Sequence, residues 1–176
     1  MNKYSKWFVF SCLMGLVGCM TAPNSSSCLS PQIGDVTESQ KKRNELASAQ
    51  NAMGWHYYHG NGVPRKLEES FKWFYKAASL CDSSAQLNVG MMYQKGEGIK
   101  QDFDEAVKWY RKSAEQGNAS AQLNLGMMYI SGRGVGRNIN EGVKWLTKAA
   151  EQGDTKADEN LTWLFQQGYI KEMPKK

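Results

Sequence analysis

The sequence predicts an all-α fold, an α/α solenoid of stacked helical hairpins, on three observations. A string of about 36 residues, Ala85 to Ser120, recurs at Ala121 to Lys156 and, more loosely, at Ala49 to Ser84. Particular residue types hold the same place in each copy: Gly54, Gly90 and Gly126; Tyr57, Tyr93 and Tyr129; Trp73, Trp109 and Trp145; Ala78, Ala114 and Ala150. Within each half of a copy, apolar residues follow the helical period and the two halves are parted by glycines. A unit this small buries an apolar face only against a neighbour, so tandem copies imply a stack rather than one globular core.

Taken from the N-terminus, the first element is a leader over 1–18. Lys3 and Lys6 form a basic start, Trp7 to Val17 an apolar run, and Gly18 a small residue before Cys19. The run is too short to span a bilayer and has the anatomy of a secretory signal. Leu16-Val17-Gly18-Cys19 resembles the bacterial lipobox, which implies cleavage before Cys19 and a lipid on its sulfur. Several acyl chains there would anchor the chain stably, where one would not. Met20, in place of Asp, implies by the same resemblance an outer-membrane anchor with the remainder facing the periplasm.

Residues 19–36 follow as a tether. Pro23, Ser25, Ser26, Ser27, Pro31 and Gly34 give it the composition of a flexible linker. Thr37-x-x-Gln40 has the form of a capping box, so a helix is expected to start near Glu38 and to run through a cap, 37–48, into the first repeat. Lys41, Lys42 and Arg43 lie on that helix and are read as a solvated face.

The repeats are expected at 49–84, 85–120 and 121–156, with a capping helix and tail over 157–176. Each reads as helix A, a glycine turn, helix B and a second turn. Gly54, Gly90 and Gly126 fall inside helix A, where a glycine costs about 1 kcal/mol against alanine. The expected compensation is close approach to the Ala77–Ala78, Ser113–Ala114 and Ala149–Ala150 steps of helix B. Gly60, Gly62, Gly96, Gly98, Gly132 and Gly134 are turn residues that need positive φ. They lack the preceding strand and following Lys-Ser/Thr of a phosphate loop. Trp73, Trp109 and Trp145 are expected in the core of helix B.

The spacing A-x4-G-x2-Y-x2-G-x-G, followed by Glu105, Ala106, Lys108, Trp109, Tyr110, Lys112, Ala114, Glu115, Gln116 and Gly117, resembles the Sel-one-like repeat, a relative of the tetratricopeptide repeat. The likeness covers about 120 residues, Ala49 to Tyr169. Three positions depart from it: Cys81 where Gly117 and Gly153 end helix B, Gly142 for Ala106, and Thr162 for the helix-A glycine.

Composition narrows the function. The formal charge is +5, about +3 once Lys3 and Lys6 leave with the leader, and both signs are interspersed, so no nucleic-acid footprint is expected. Of four cysteines, Cys12 leaves with the leader and Cys19 carries the lipid. Cys28 and Cys81 remain, and in an oxidising compartment they are expected to pair, which would be worth about 4 kcal/mol; two free thiols or a bond to a partner chain are the alternatives. His56 and His59 suggest no third metal ligand, so no metal and no cofactor is expected. Ser39-x-x-Lys42 lacks the companion motifs of β-lactam enzymes. No catalytic residue emerges, and the protein is read as a non-enzyme.

What remains is the inner face made by successive helices A. Trp55, Met91, Met127 and Trp163 share one register position, and Tyr58, Gln94 and Ile130 another, with His59 beside them. These eight residues are the expected partner-binding set, an apolar groove suited to a protein; the alternative is that they fill contacts between repeats. Two kinds of partner are open, the first of them implied by the family resemblance. One is a secreted antibacterial effector, notably a type VI-delivered phospholipase that the protein would neutralise as its immunity protein; the other is an envelope assembly that it would scaffold.

Overall fold

The computed structural model describes residues 38–174. The leader, Cys12, Cys19, the tether with Cys28, and Thr37 lie outside the described residues. Seven helices follow one another: α1 (Glu38–His59), α2 (Leu67–Ser79), α3 (Ser83–Lys95), α4 (Phe103–Glu115), α5 (Ala119–Ser131), α6 (Ile139–Glu151) and α7 (Thr155–Gln166). Each packs on the next in sequence, the α/α solenoid expected from the repeats. The odd-numbered helices are helix A of successive units, the even-numbered ones helix B. α1 runs 22 residues because the cap continues into the first helix A.

Caps explain the boundaries. Asp82, Asn118 and Asp154 each accept a hydrogen bond from the backbone three residues on and start α3, α5 and α7. Asp102 and Asn138 do the same for α4 and α6. At the matching place before α2 stands Lys66, in the same extended backbone conformation but with no side-chain cap.

Each buried cluster joins one unit to the next. Phe74, Ala77 and Ala78 of α2 pack with Ala85, Val89 and Met92 of α3, joined by Trp109 of α4. The pattern recurs between α4 and α5, around Tyr110 and Leu125, and between α6 and α7, around Leu146 and Leu161. Helix A is therefore held between its own helix B and the preceding one. That is why α3 buries residues around much of its circumference, while helix B keeps one exposed face.

Two expectations change in detail. The helix-A glycines do make room for helix B, but not for its Ala-Ala step. A Cβ on Gly54 would lie 2.4 Å from the Phe74 ring, and one on Gly90 2.7 Å from the Tyr110 ring, one turn earlier in helix B. The alanine pairs face the following helix A instead.

The tryptophans are not equivalent. Trp109 is buried, with the Tyr75 ring edge-on at 5.4 Å, whereas Trp73 and Trp145 are half-buried. Each carries a lysine over its outer ring: Lys76, Lys112 and Lys148, at 4.3, 4.0 and 4.4 Å. Trp73 has no preceding helix B among the described residues, and in register the Tyr75 that covers Trp109 becomes Arg111 before Trp145.

Cys81 keeps the left-handed turn of Gly117 and Gly153, with φ of 71° against 90° and 88°, despite its side chain. It is disulfide-bonded.

The turn glycines have positive φ as expected, and some of them also serve the stack. A Cβ on Gly98 would fall 2.3 Å from the Leu67 carbonyl oxygen, so the turn of one unit lies directly on the start of helix B in the unit before.

Candidate functional site

The inner face is built by α1, α3, α5 and α7. Asn88 donates to Asn51 at 3.1 Å, which ties α3 to α1 directly. The eight sequence-predicted residues fall on it in two groups, with a tighter stretch between.

At the first end, Trp55 is 39% exposed and stacks on His59, with ring centroids 5.1 Å apart and planes 9° apart. Tyr58 and Phe74 meet its edges at 5.5 and 5.4 Å. Tyr58 is not free to move, because its hydroxyl donates to Glu97 of the next unit at 2.7 Å. That hydrogen bond, together with burial, raises the phenol above its ordinary value, so it stays neutral. His56 turns away, its Nδ1 lying 2.8 Å from the Asn61 carbonyl at the helix end.

The middle of the expected row is committed to packing. Met91 is half-buried, resting with Leu87 on the core between α4 and α5. Gln94 accepts a hydrogen bond from the buried Tyr110 hydroxyl, so its side chain is held by its own helix B. Met91 and Leu87 still edge a shallow groove of about 460 Å³, which runs past Leu123 and Asn124 of α5 to Asp154 and Lys156 at the start of α7.

At the far end, Met127 and Trp163 are 37% and 49% exposed and, with Ile130, Asn160 and Leu164, line an open cavity of about 300 Å³. Tyr169 stacks on Trp163 at 5.7 Å, and the Arg137 guanidinium lies 5.9 Å from the Tyr169 ring. Arg137 Nε also donates to the Ile130 carbonyl at 3.1 Å, so an apolar floor, an aromatic shelf and a cation share one place.

Three of the eight predicted residues, Met127, Ile130 and Trp163, thus come together in one cavity. Trp55, Tyr58 and His59 form a separate cluster, and Met91 and Gln94 lie between. Asn160, Leu164 and Tyr169 were not singled out by sequence. Asn160 repeats Asn88 and Asn124 at one register position, a signal that was available. Tyr169 reaches Trp163 only because the chain turns back after Gly168, whose φ is 74°. Tyr93 and Tyr110 are raised by burial, Tyr110 strongly. Neutral phenols, thioethers and indoles equip the face for apolar and aromatic contact.

The Sel1 repeat family model matches residues 47–80, 83–118 and 119–154. Among solved structures, a Sel1 repeat protein from Oxalobacter formigenes is 38% identical, with a TM-score of 0.67 over 76% of this chain and 54% of that one. A second, c5321, is a protective antigen of uropathogenic Escherichia coli that displays an SLR fold. It is 35% identical, with a TM-score of 0.69 over 76% of this chain and 30% of that one. The chain therefore spans about half the length of the first and under a third of the second. Helicobacter pylori cysteine rich protein B, 23% identical with a TM-score of 0.58, over 73% of this chain and 98% of that one, shares the fold. No curated protein is significantly similar to the chain.

Proposed function

The chain belongs to the Sel1 repeat family, and from that premise we propose that it binds one protein partner on the inner face of its stack, at the cavity between α5 and α7. Sel1 repeats typically mediate protein–protein interactions. The observation that carries the reading is the exposure of Met127 and Trp163 around an apolar cavity whose floor, Ile130 and Leu164, belongs to the core between α6 and α7. Exposed aromatic and thioether side chains around a preformed hollow suit an inserted apolar anchor. The leader and Cys19 add that this happens at a lipid-anchored, periplasm-facing position on the outer membrane.

The narrower reading is an immunity protein that occludes a type VI-delivered phospholipase. Its test is protection: cells producing such an effector in the periplasm survive when this chain is co-produced. Killing unrelieved by the intact chain, with every phospholipase effector of the strain, would set that reading aside. The Trp55–Tyr58–His59 cluster, a second aromatic patch at the opposite end, favours the other reading, a scaffold that holds two components of an envelope complex at once.

Affinity capture with the mature chain separates the face from the rest of the surface. Met127→Ala with Trp163→Ala is expected to lose the partner while keeping its helical circular dichroism. Undiminished capture by that variant would remove the cavity from consideration.

A further inference from the structure

One position in the turn after helix A follows the pattern of the inner face. Arg65 Nε donates to the Tyr58 carbonyl at 3.0 Å, Gln101 Nε2 to the Gln94 carbonyl at 2.8 Å, and Arg137 Nε to the Ile130 carbonyl at 3.1 Å. These residues share one place in the repeat, and so do the residues whose carbonyls they hold. A neutral amide is enough for that bond, as Gln101 shows. Arginine stands in the two units whose inner-face patch is exposed, around Trp55 and around Met127. Glutamine stands where Met91 and Gln94 are taken up by packing. The charge of Arg137 is therefore not needed by the turn.

That charge is also uncompensated. The Arg137 side chain is exposed, and among the described residues no carboxylate pairs with it; the ion pairs there all belong to lysines. Beyond its Nε bond and the Tyr169 ring, its NH2 groups have no acceptor among the described residues. Ile130 links this cation to the cavity directly, because its side chain lines the hollow while its carbonyl holds the guanidinium.

We propose that Arg137 pairs with a carboxylate of the partner, so that the segment docked at the cavity is an acidic one. An apolar side chain enters beside Met127 and Trp163, and an Asp or Glu next to it in the partner's sequence meets the guanidinium. This rests on the docking reading above and adds the chemistry of the ligand. Anchor and carboxylate must be near neighbours in the bound chain, since one residue, Ile130, touches both places and successive Cα atoms are only about 3.8 Å apart. A chain terminus is held by a nest of backbone N–H groups. Here the turn amides of Gly132, Arg133 and Asn138 are spent on the Met128 and Tyr129 carbonyls. Arg133 does not double the charge either, since its guanidinium lies over the Phe103 ring of the unit before. What the cavity offers is one planar fork, which suits a single side-chain carboxylate through parallel N–H donors. An exposed pair of this kind changes affinity by no more than about fivefold, so it selects among segments that the apolar anchor holds.

The test exposes the full mature chain to a bead library of acetylated, amidated peptides with a central Leu, Met, Phe or Trp and randomised flanks. A parallel library ends in a free carboxylate directly after the anchor. The expected result is retention of amidated peptides enriched in Asp or Glu beside the anchor. Arg137→Gln, which keeps the turn bond as Gln101 does, is expected to retain the same anchors without the acidic enrichment. In titration of the best retained peptide, the parent should bind about fivefold tighter than Arg137→Gln at low salt, with the gap closing at about 0.5 M salt. Anchors retained without acidic neighbours, equal acidic enrichment by both proteins, or preference for the free terminus overturns the proposal and leaves the docking cavity standing. Retention of no peptide, or of the same peptides by Trp163→Ala, removes the cavity reading and the proposal together.

Discussion

Gly142 of α6 makes room for Ile130 of α5: a Cβ on Gly142 would stand 2.5 Å from Ile130 Cγ1 and 2.9 Å from the Gly126 carbonyl oxygen. In the second unit the same two positions are Ala106 and Gln94, where a methyl on helix B is matched by an unbranched side chain on helix A. The exchange of Ala for Gly on one helix and Gln for Ile on the other is a matched change of shape. It also puts a branched apolar residue into the candidate cavity.

Gly142→Ala tests that match. Helix propensity alone would stabilise α6 by about 1 kcal/mol, but overpacking against Ile130 costs about 1–3 kcal/mol. The expected outcome is a net loss in urea unfolding, recovered in part by Ile130→Gln with Gly142→Ala, which recreates the pairing of the second unit. A gain of about 1 kcal/mol in Gly142→Ala, the propensity effect alone, would mean that α6 can shift away at no cost.

Lys66→Asp is expected to stabilise. The backbone before α2 already has the conformation that Asp102 and Asn138 use to cap α4 and α6, and it lacks only a side-chain acceptor. A gain of about 1 kcal/mol in unfolding free energy is expected, with unchanged m-value. No gain would show that Glu68 and Glu69, close by, repel the new carboxylate as much as the cap helps.

Alkaline pH is expected to weaken the fold through Tyr110. Its phenol is buried and its pKa raised above the ordinary value of 10, so in the unfolded chain it ionises first. Its contribution is fully present below pH 10 and is lost as pH rises from there toward the native pKa, by up to about 1.4 kcal/mol per pH unit. Tyr110→Phe should lower stability at pH 7 by about 1 kcal/mol, since Gln94 loses its donor, yet flatten the decline above pH 10. Urea midpoints measured from pH 7 to 11 decide it, and parallel declines for both proteins would place the alkaline sensitivity elsewhere.

At the candidate cavity the two ends of the inner face should differ. Trp163→Ala is expected to weaken partner affinity by about 2 kcal/mol or more, roughly thirtyfold, if the anchor enters beside Met127. Trp55→Ala, at the other end, should matter only where a second component binds. Calorimetric titration with the captured partner compares them directly, and the reverse ranking would move the docking site to α1.

The hairpins, their order and their turns were legible without coordinates, because Gly90, Tyr93, Gly96 and Trp109 recur about 36 residues on and local periodicity sets where a helix begins and ends. Even the long α1 followed from the continuous pattern after Glu38. Which register equivalents face solvent did not follow. Met91 and Met127 occupy one position in the repeat, yet Met91 rests on the core and Met127 rims a cavity. The reason is that exposure in a stack belongs to the pair of units around a residue: Leu123 of α5 edges the same groove as Met91, while the equivalent on α7 is Glu159. Local sequence therefore determined the repeating unit. Its neighbours, brought alongside only by tertiary packing, decided which of its apolar side chains were left open to a partner.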